Sequence, residues 1–456
     1  MRAIIIGGGV VGYSLAEQLL KDKHELSLIE ADPELCQQLS EKLDLQILNG
    51  SGTSSNLLKQ AGLEHADMII AVTPNNETNL LVCAFAAQFG VKQRIARLRG
   101  KEYDSDHSFI DLEKLGITSL IQPEKVMAEH IMQYVETPHA KDTANFENGR
   151  ILMRAYQVTK DMEITGKTPK EIRTMIDPFV VLFSAIIRDG VGMIPDGDTR
   201  IEAGDLVYSL FPRESLERFL KLMAIETKNR KIIMTGDSYA TIELARTFDK
   251  TDYHVTYVDP NKDHAEKAAA EFNNVEVLNG DCTSIELLRE LNIDKASFFI
   301  SVSDEVDYNM LSAVLAKNEG AHEVITSTTE LHHNQLFHSI GIDHIINPRL
   351  TTAREILETI SKGHIGNKVK LSNVDIEAIR FLVNSDSDIA GMKVKKIASK
   401  LKKGTIIGII IREDRIIIPD GETTLEIDDH IIMITHNKNL PFLSKLFKPH
   451  KLFRRS

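Results

Sequence analysis

Met1-Arg2-Ala3-Ile4-Ile5-Ile6-Gly7-Gly8-Gly9-Val10-Val11-Gly12 opens the chain, and the order of these residues decides the fold. A short apolar run rich in isoleucine reads as a strand, G-x-G-x-x-G follows it directly, and residues 11–20 then carry helical spacing. Each glycine of such a loop has a physical role. Gly7 permits the tight strand-to-helix turn, Gly9 lets the backbone approach a pyrophosphate with no Cβ in the way, and Gly12 lets the helix pack closely on the sheet. The helix start presents N–H groups and a partial positive charge to an anion, so Val10 and Val11 enter the candidate site through their backbone. The alternation continues downstream, with strands at 25–30, 45–48 and 68–72 and helices at 33–43, 54–61 and 76–89. Strands separated by helices of this length predict right-handed crossovers and a parallel, doubly wound sheet.

The second strand ends at Glu30-Ala31, with the carboxylate eighteen residues after Gly12 (30 − 12), where it can accept hydrogen bonds from ribose hydroxyls. A carboxylate there repels a 2′-phosphate, which favours NAD or an adenine nucleotide over NADP. Gly50-Ser51 follows the third strand, Ala71-Val72-Thr73 ends the fourth, and a fifth strand over 95–99 brings Arg97 to the same carboxyl edge, where ligands collect in this architecture. Arginine suits a phosphate because its planar fork donates several fixed hydrogen bonds. The plainer reading is a glycine turn beside a surface carboxylate, with Arg97 a solvated residue on an edge strand.

The chain repeats itself. Asn49-Gly50-Ser51-Gly52-Thr53-Ser54 returns as Asn279-Gly280-Asp281-Cys282-Thr283-Ser284, and Gly7, Glu30, Asn79 and Gly90 return as Gly236, Asp259, Asn309 and Gly320. A shorter unit repeats as well, Ile194-Pro195-Asp196-Gly197-Asp198-Thr199 recurring as Ile418-Pro419-Asp420-Gly421-Glu422-Thr423. The expected order is a first Rossmann-like domain at 1–136, a small α+β domain at 145–228, a second Rossmann-like domain at 229–362, a second small domain at 372–448 and a basic tail at 449–456. Linkers are expected near 137–148, 224–230 and 361–373. The second copy departs where it matters. Its loop reads Gly236-Asp237-Ser238-Tyr239-Ala240-Thr241, with bulk at Tyr239 and Thr241 and a negative charge at Asp237, and Arg97 becomes Ser327. A scaffold role is the better reading of that copy, although Asp259 is retained.

A formal charge of −12 argues against a general nucleic-acid binder. Cys36, Cys83 and Cys282 are scattered with no C-x-x-C pair, which fits a reducing cytoplasm and no cysteine zinc site. No apolar run approaches the ~20 residues of a membrane span, so contact with a membrane must come through a partner. His332-His333 stand without carboxylates or cysteines at ligand spacing, and read as solvated histidines, not a metal or acid–base pair. The sequence also lacks a nucleophile elbow, a P-loop lysine motif and H-E-x-x-H.

With these residues in place, the whole chain resembles the TrkA family, regulatory subunits of Trk-type bacterial potassium uptake systems within the RCK/KTN class. The resemblance rests on the opening stretch through Gly12, Asn49-Gly50, Ala71-Val72-Thr73, Glu77-Thr78-Asn79, Arg94-Ile95-Ala96-Arg97, the two Pro-Asp-Gly turns and the large–small–large–small order. It implies a homotetramer on the cytoplasmic face of the inner membrane, docked to a TrkH- or TrkG-like potassium-conducting subunit. It implies NAD(H), ATP or ADP as regulatory ligands of the first large domain, lined by Gly7, Gly9, Gly12, Glu30, Ser51, Thr73 and Arg97. Many relatives hold a second intact glycine loop, and this chain departs from them there. The implied function is allosteric gating without catalysis. The alternative of another class is an NAD-dependent oxidoreductase with its substrate between the repeats.

Overall fold

The computed structural model describes the whole chain except residues 104–109, 177–180, 226–229, 330–339, 362–367, 372–373, 386, 388, 414 and 448–456. His332-His333 and the 449–456 tail therefore lie outside the described residues. The first parallel sheet is built from β1 (Arg2–Ile6), β2 (Glu25–Glu30), β3 (Gln46–Asn49), β4 (Met68–Ala71), β5 (Gln93–Arg97) and β6 (Ser119–Ile121), in the order β3-β2-β1-β4-β5-β6. Between them run α1 (Val10–Lys21), α2 (Pro33–Lys42), α3 (Ser55–Gln60) and α4 (Asn76–Gln88), and α5 (Pro123–Glu136) follows β6. The central strands are apolar runs because both faces of a parallel sheet are covered; Ile4, Ile5, Ile69 and Ile70 are buried. Helix starts are written in the sequence. Asp32 accepts from Glu34 N and Leu35 N beside a proline at the first turn, and Asn75 accepts from Thr78 N.

After α5 comes an antiparallel sheet of β7 (Asp142–Phe146), β8 (Ile151–Gln157), β9 (Leu182–Arg188), β10 (Val191–Met193) and β11 (Leu206–Pro212), with α6 (Pro169–Ile176) and α7 (Leu216–Leu222). The segment 137–148 expected as a linker thus contains a strand. β7 pairs antiparallel with β8, burying Thr143 and Phe146. Five residues with a single bulky apolar side chain carry too weak an alternation to be read without that partner.

The parallel architecture then recurs in β12 (Lys231–Thr235), α8 (Tyr239–Phe248), β13 (His254–Asp259), α9 (Lys262–Glu271), β14 (Val275–Asn279), α10 (Ile285–Glu290), β15 (Phe298–Ser301), α11 (Val306–Asn318), β16 (Glu323–Ser327), β17 (His344–Ile346) and α12 (Pro348–Ser361), with strand order β14-β13-β12-β15-β16-β17. The second antiparallel sheet holds β18 (Lys368–Lys370), β19 (Ile376–Leu382), β20 (Thr405–Arg412), β21 (Arg415–Ile417) and β22 (His430–His436), with α13 (Val394–Ala398) and α14 (Leu440–Leu446).

The repeats associate like with like. One compact unit comprises Met1–Met132 with Asn229–Thr359, and the other comprises Gln133–Lys228 with Ile360–Ser456. In the second unit both antiparallel sheets share one core, in which Met153, Ala155 and Tyr208 meet Ile376, Ala378 and Ile432. A polar link crosses it: Glu147 Oε1 accepts from Arg380 Nη1 at 2.5 Å and lies 3.1 Å from His430 Nδ1. Burial alone raises the Glu147 carboxyl, but the hydrogen bonds from His430 and Arg380 overcome it and pull the group down to about 2. The Pro-Asp-Gly turns are braces. Asp196 Oδ1 accepts from Asp198 N (3.0 Å) and Thr199 Oγ1 (2.7 Å), and Asp420 Oδ1 accepts from Glu422 N (3.0 Å) and Thr423 N (2.8 Å).

Candidate functional site

The loop between β1 and α1 needs glycine at both of its fixed ends. Gly7 has φ +101°, and a Cβ on Gly12 would stand 1.9 Å from Gly7 O, so no other residue fits between helix and loop. Gly9 is different. It is the N-cap residue of α1, and nothing among the described residues lies within 4 Å of where its Cβ would project. The helix has no side-chain cap at this end, and Tyr13 N→Gly9 O (2.8 Å) is an early helical bond. The amides ahead of it face an open cradle with the positive end of the helix dipole behind them.

Glu30 holds the loop from the neighbouring strand. Its Oε2 accepts from Gly8 N at 2.5 Å and its Oε1 from Asp32 N at 2.9 Å. A carboxylate has about four acceptor sites, so positions remain for hydroxyl donors. Asn49 Nδ2 donates to Glu30 O (3.1 Å) and Ala31 O (3.2 Å), fixing the ends of β2 and β3 together. Gly50 has φ +146°, and beyond it Ser51 Oγ lies 2.8 Å from Thr53 Oγ1 on an exposed turn.

On the far side of the crevice, Val72 N donates to Ile6 O (2.9 Å), which closes the β4 end onto β1 after Ala71. Thr73 Oγ1 donates to Asn79 Oδ1 (2.7 Å), and the fully buried Asn79 sends its Nδ2 to Thr73 O (3.0 Å) and Arg97 O (2.7 Å). Arg97 is thereby held at the end of β5, and its Nε is buried with no hydrogen-bond partner among the described residues. Burial, then the positive charges of Arg99 and Arg349, disfavour its charged form. A desolvated guanidinium beside other cations is suited to an anion. Next to it Arg99 Nε donates to the buried Glu124 Oε1 at 2.7 Å.

The second copy fills the same place with side chains. Ser238 caps α8 by accepting from Thr241 N (3.3 Å), and the hydroxyls of Ser238 and Thr241 both reach Val302 O. Tyr257 occupies in β13 the register position that Leu28 holds in β2. Its hydroxyl lies 2.5 Å from Asp259 Oδ2 and 2.8 Å from Gly236 O, and Asp259 is fully buried. Burial and then the Asp259 charge push this phenol far up. Tyr308 Oη meets Thr235 Oγ1 at 2.8 Å and accepts from Cys282 N at 3.3 Å, and burial raises its phenol to about 12.

The expected site residues therefore stand at the carboxyl ends of adjacent strands of one sheet: Gly7, Gly9, Val10, Val11 and Gly12 after β1, Glu30 and Ala31 at β2, Gly50 and Ser51 after β3, Ala71, Val72 and Thr73 at β4, and Arg97 at β5. Val11 is buried, so it offers its amide only. The sequence reading did not single out the supporting asparagines as site residues. Asn49 and Asn79 hold the crevice walls, and Asn279 and Asn309 make the matching bonds in the second copy. Their recurrence in both halves was the available signal.

Residues 3–123 and 232–348 each match the TrkA-N domain, and residues 378–448 match the TrkA-C domain. The chain is 30% identical over 460 residues to the Trk system potassium uptake protein TrkA of Vibrio alginolyticus, covering 99% of this chain and 100% of that one. It is 30% identical over 448 residues to a TrkA homolog of Archaeoglobus fulgidus, covering 98% and 100%. Among solved structures, the GsuK RCK domain is similar at a TM-score of 0.59 and 16% identity, covering 98% of this chain and 94% of that chain. The GsuK channel bound to NAD gives 0.58 and 16%, covering 98% and 78%.

Proposed function

The chain belongs to the TrkA family, and on that premise we propose that it is the nucleotide-sensing regulatory subunit of a Trk-type potassium uptake system. The ligand is NAD(H), ATP or ADP, held by Gly7, Gly9, Val10, Val11 and Gly12 at its phosphates, by Glu30, Ala31, Gly50 and Ser51 at the adenosine, and by Ala71, Val72, Thr73 and Arg97 beyond. The observation that carries this reading is the uncapped start of α1 with open space at Gly9, opposite a carboxylate at Glu30. These residues fit a diphosphate: bare amides, a cradle that any Cβ would narrow, and an arginine Nε lacking an acceptor. Bound nucleotide is read as a signal. Different nucleotides stabilise different arrangements of the homotetramer, which bias a TrkH- or TrkG-like pore through differential contacts on the cytoplasmic face of the membrane. Among the described residues no helix is long and apolar enough to cross a membrane, which fits attachment through that partner. The domain boundaries set out from the sequence serve this reading, the first large domain sensing and the second supporting.

Calorimetry with NAD, NADH, ADP and ATP on the full chain tests the site. Potassium uptake by cells carrying the membrane subunit with this chain, with and without Gly9→Asp, tests the regulation. Nucleotide binding unchanged by Gly9→Asp sinks the assignment, and steady NADH consumption with a metabolite supports the oxidoreductase instead.

A further inference from the structure

The second copy turns one aromatic side chain outward while it closes its own crevice. Tyr239 stands at the first position of α8, where the first copy has Val10, and it is 54% exposed. With Glu243 one turn later it lines a shallow cleft whose other wall is Gly100, Gln122, Glu124 and Lys125. Those four residues follow β5 and β6 of the first copy, so the cleft lies on the carboxyl edge that carries the nucleotide site, just past Arg97 and Arg99. The wall is firm. Asn76 Nδ2 donates to Arg99 O (2.8 Å), Arg99 N donates to Asn76 Oδ1 (2.9 Å), and Arg99 Nε donates to Glu124 Oε1 (2.7 Å). The charges of Asp304 and Arg349, from the second copy, also bear on Arg99 and Arg97 respectively.

Reach then separates the ligands. Adjacent strands lie roughly 5 Å apart, so the ends of β5 and β6 stand roughly 10 and 14 Å from the glycine loop at the end of β1. A nucleotide whose diphosphate rests on that loop leaves ADP short of the cleft, whereas the second nucleoside of a dinucleotide extends into it. The lining combines an exposed aromatic ring with Lys125 and two carboxylates, Glu124 and Glu243, each already paired with an arginine. An aromatic face stacks on a flat uncharged ring, and the carboxylates keep acceptor positions for ribose hydroxyls.

We propose that Tyr239 of the degenerate copy forms the outer wall of the first copy's nucleotide site and selects a dinucleotide, by stacking on its second base, over ADP, which falls short of it. This rests on the reading of the first crevice as a nucleotide site. The scaffold copy is then a specificity element.

Calorimetry on the full chain with NAD and with ADP, for wild type, Tyr239→Val and Tyr239→Phe, tests it. Tyr239→Val, which installs the residue of the first copy, is expected to weaken NAD by about fivefold or more and to leave ADP unchanged, while Tyr239→Phe keeps NAD binding because the ring is what acts. The chain has no tryptophan, so Tyr239→Trp supplies a unique fluorophore that NAD quenches and ADP does not. NAD and ADP affected equally by Tyr239→Val, or neither affected, overturns the proposal and leaves the nucleotide site standing. A wild type that binds neither nucleotide overturns both.

Discussion

At the head of α1 the chain places Gly9, and at the head of α8 it places Ser238, whose hydroxyl already satisfies Thr241 N. In the first copy the strand beside the loop offers Leu28 and ends in a partly exposed Glu30. In the second it offers Tyr257, whose phenol sits on a fully buried Asp259. Both copies keep the strand order, the positive-φ first glycine and the asparagine bonds. The difference teaches that the frame of a ligand site and the ligand site itself are separable. The frame is backbone geometry, which duplication preserves, while the site is a set of polar groups left without partners, which a few hydroxyls suffice to fill.

The sharpest way to break this contrast is to close the open copy. Gly9→Asp places a carboxylate where the phosphates would lie, and an adenine nucleotide should bind on the order of 100-fold more weakly, or about 3 kcal/mol, by calorimetry. Its melting temperature should hold, since the new Cβ meets no atom within 4 Å.

The second unit extends the contrast, because its two small domains are joined by a charge that neither contains alone. Glu147 is held near 2 against an ordinary 4.5, so its contribution is present in full above the ordinary glutamate range and is lost as pH falls through it toward 2. The gap corresponds to roughly 3 kcal/mol at most. Urea unfolding at pH 6 and pH 3 should show Glu147→Gln less stable at the higher pH and with a flatter acid limb than wild type.

Opening the closed copy should cost stability without creating a site. Tyr257→Phe removes the single hydroxyl proton that the buried Asp259 and Gly236 O share, a loss of about 2 kcal/mol in urea unfolding. Nucleotide stoichiometry should stay at one per chain. A second equivalent appearing in calorimetry would show that the phenol alone had blocked the crevice.

A smaller effect is expected at Arg97. Arg97→Ala should weaken a diphosphate ligand roughly tenfold, about 1.4 kcal/mol. Because the Nε has no acceptor to lose, thermal stability without ligand should not fall.

Much of this frame was legible. G-x-G-x-x-G after an isoleucine strand, and the recurrence of Asn49-Gly50 as Asn279-Gly280, depend on local order, which a sequence displays directly. The loss at Tyr239 and Thr241 was legible too, as added bulk. The plug was not. Tyr257 reads as one more β-forming residue in His254–Asp259, and only the pairing of β13 beside β12 carries its hydroxyl to Gly236. The strand β7 was hidden for the same reason, since its partner β8 supplies what its own pattern lacks. The association of like repeats was likewise absent from any window of the sequence, because the contacts that make it span half the chain.

That association carries a consequence for biosynthesis. Met153, Ala155 and Tyr208 share their core with Ile376, Ala378 and Ile432, which the ribosome delivers roughly 220 positions later. At elongation rates of about 5–20 residues per second, the early sheet waits roughly 10–40 s with an apolar face still wet. The nascent chain is therefore a client for holdase chaperones through the middle of its translation, and a message truncated between the repeats yields a sticky fragment, not a smaller sensor.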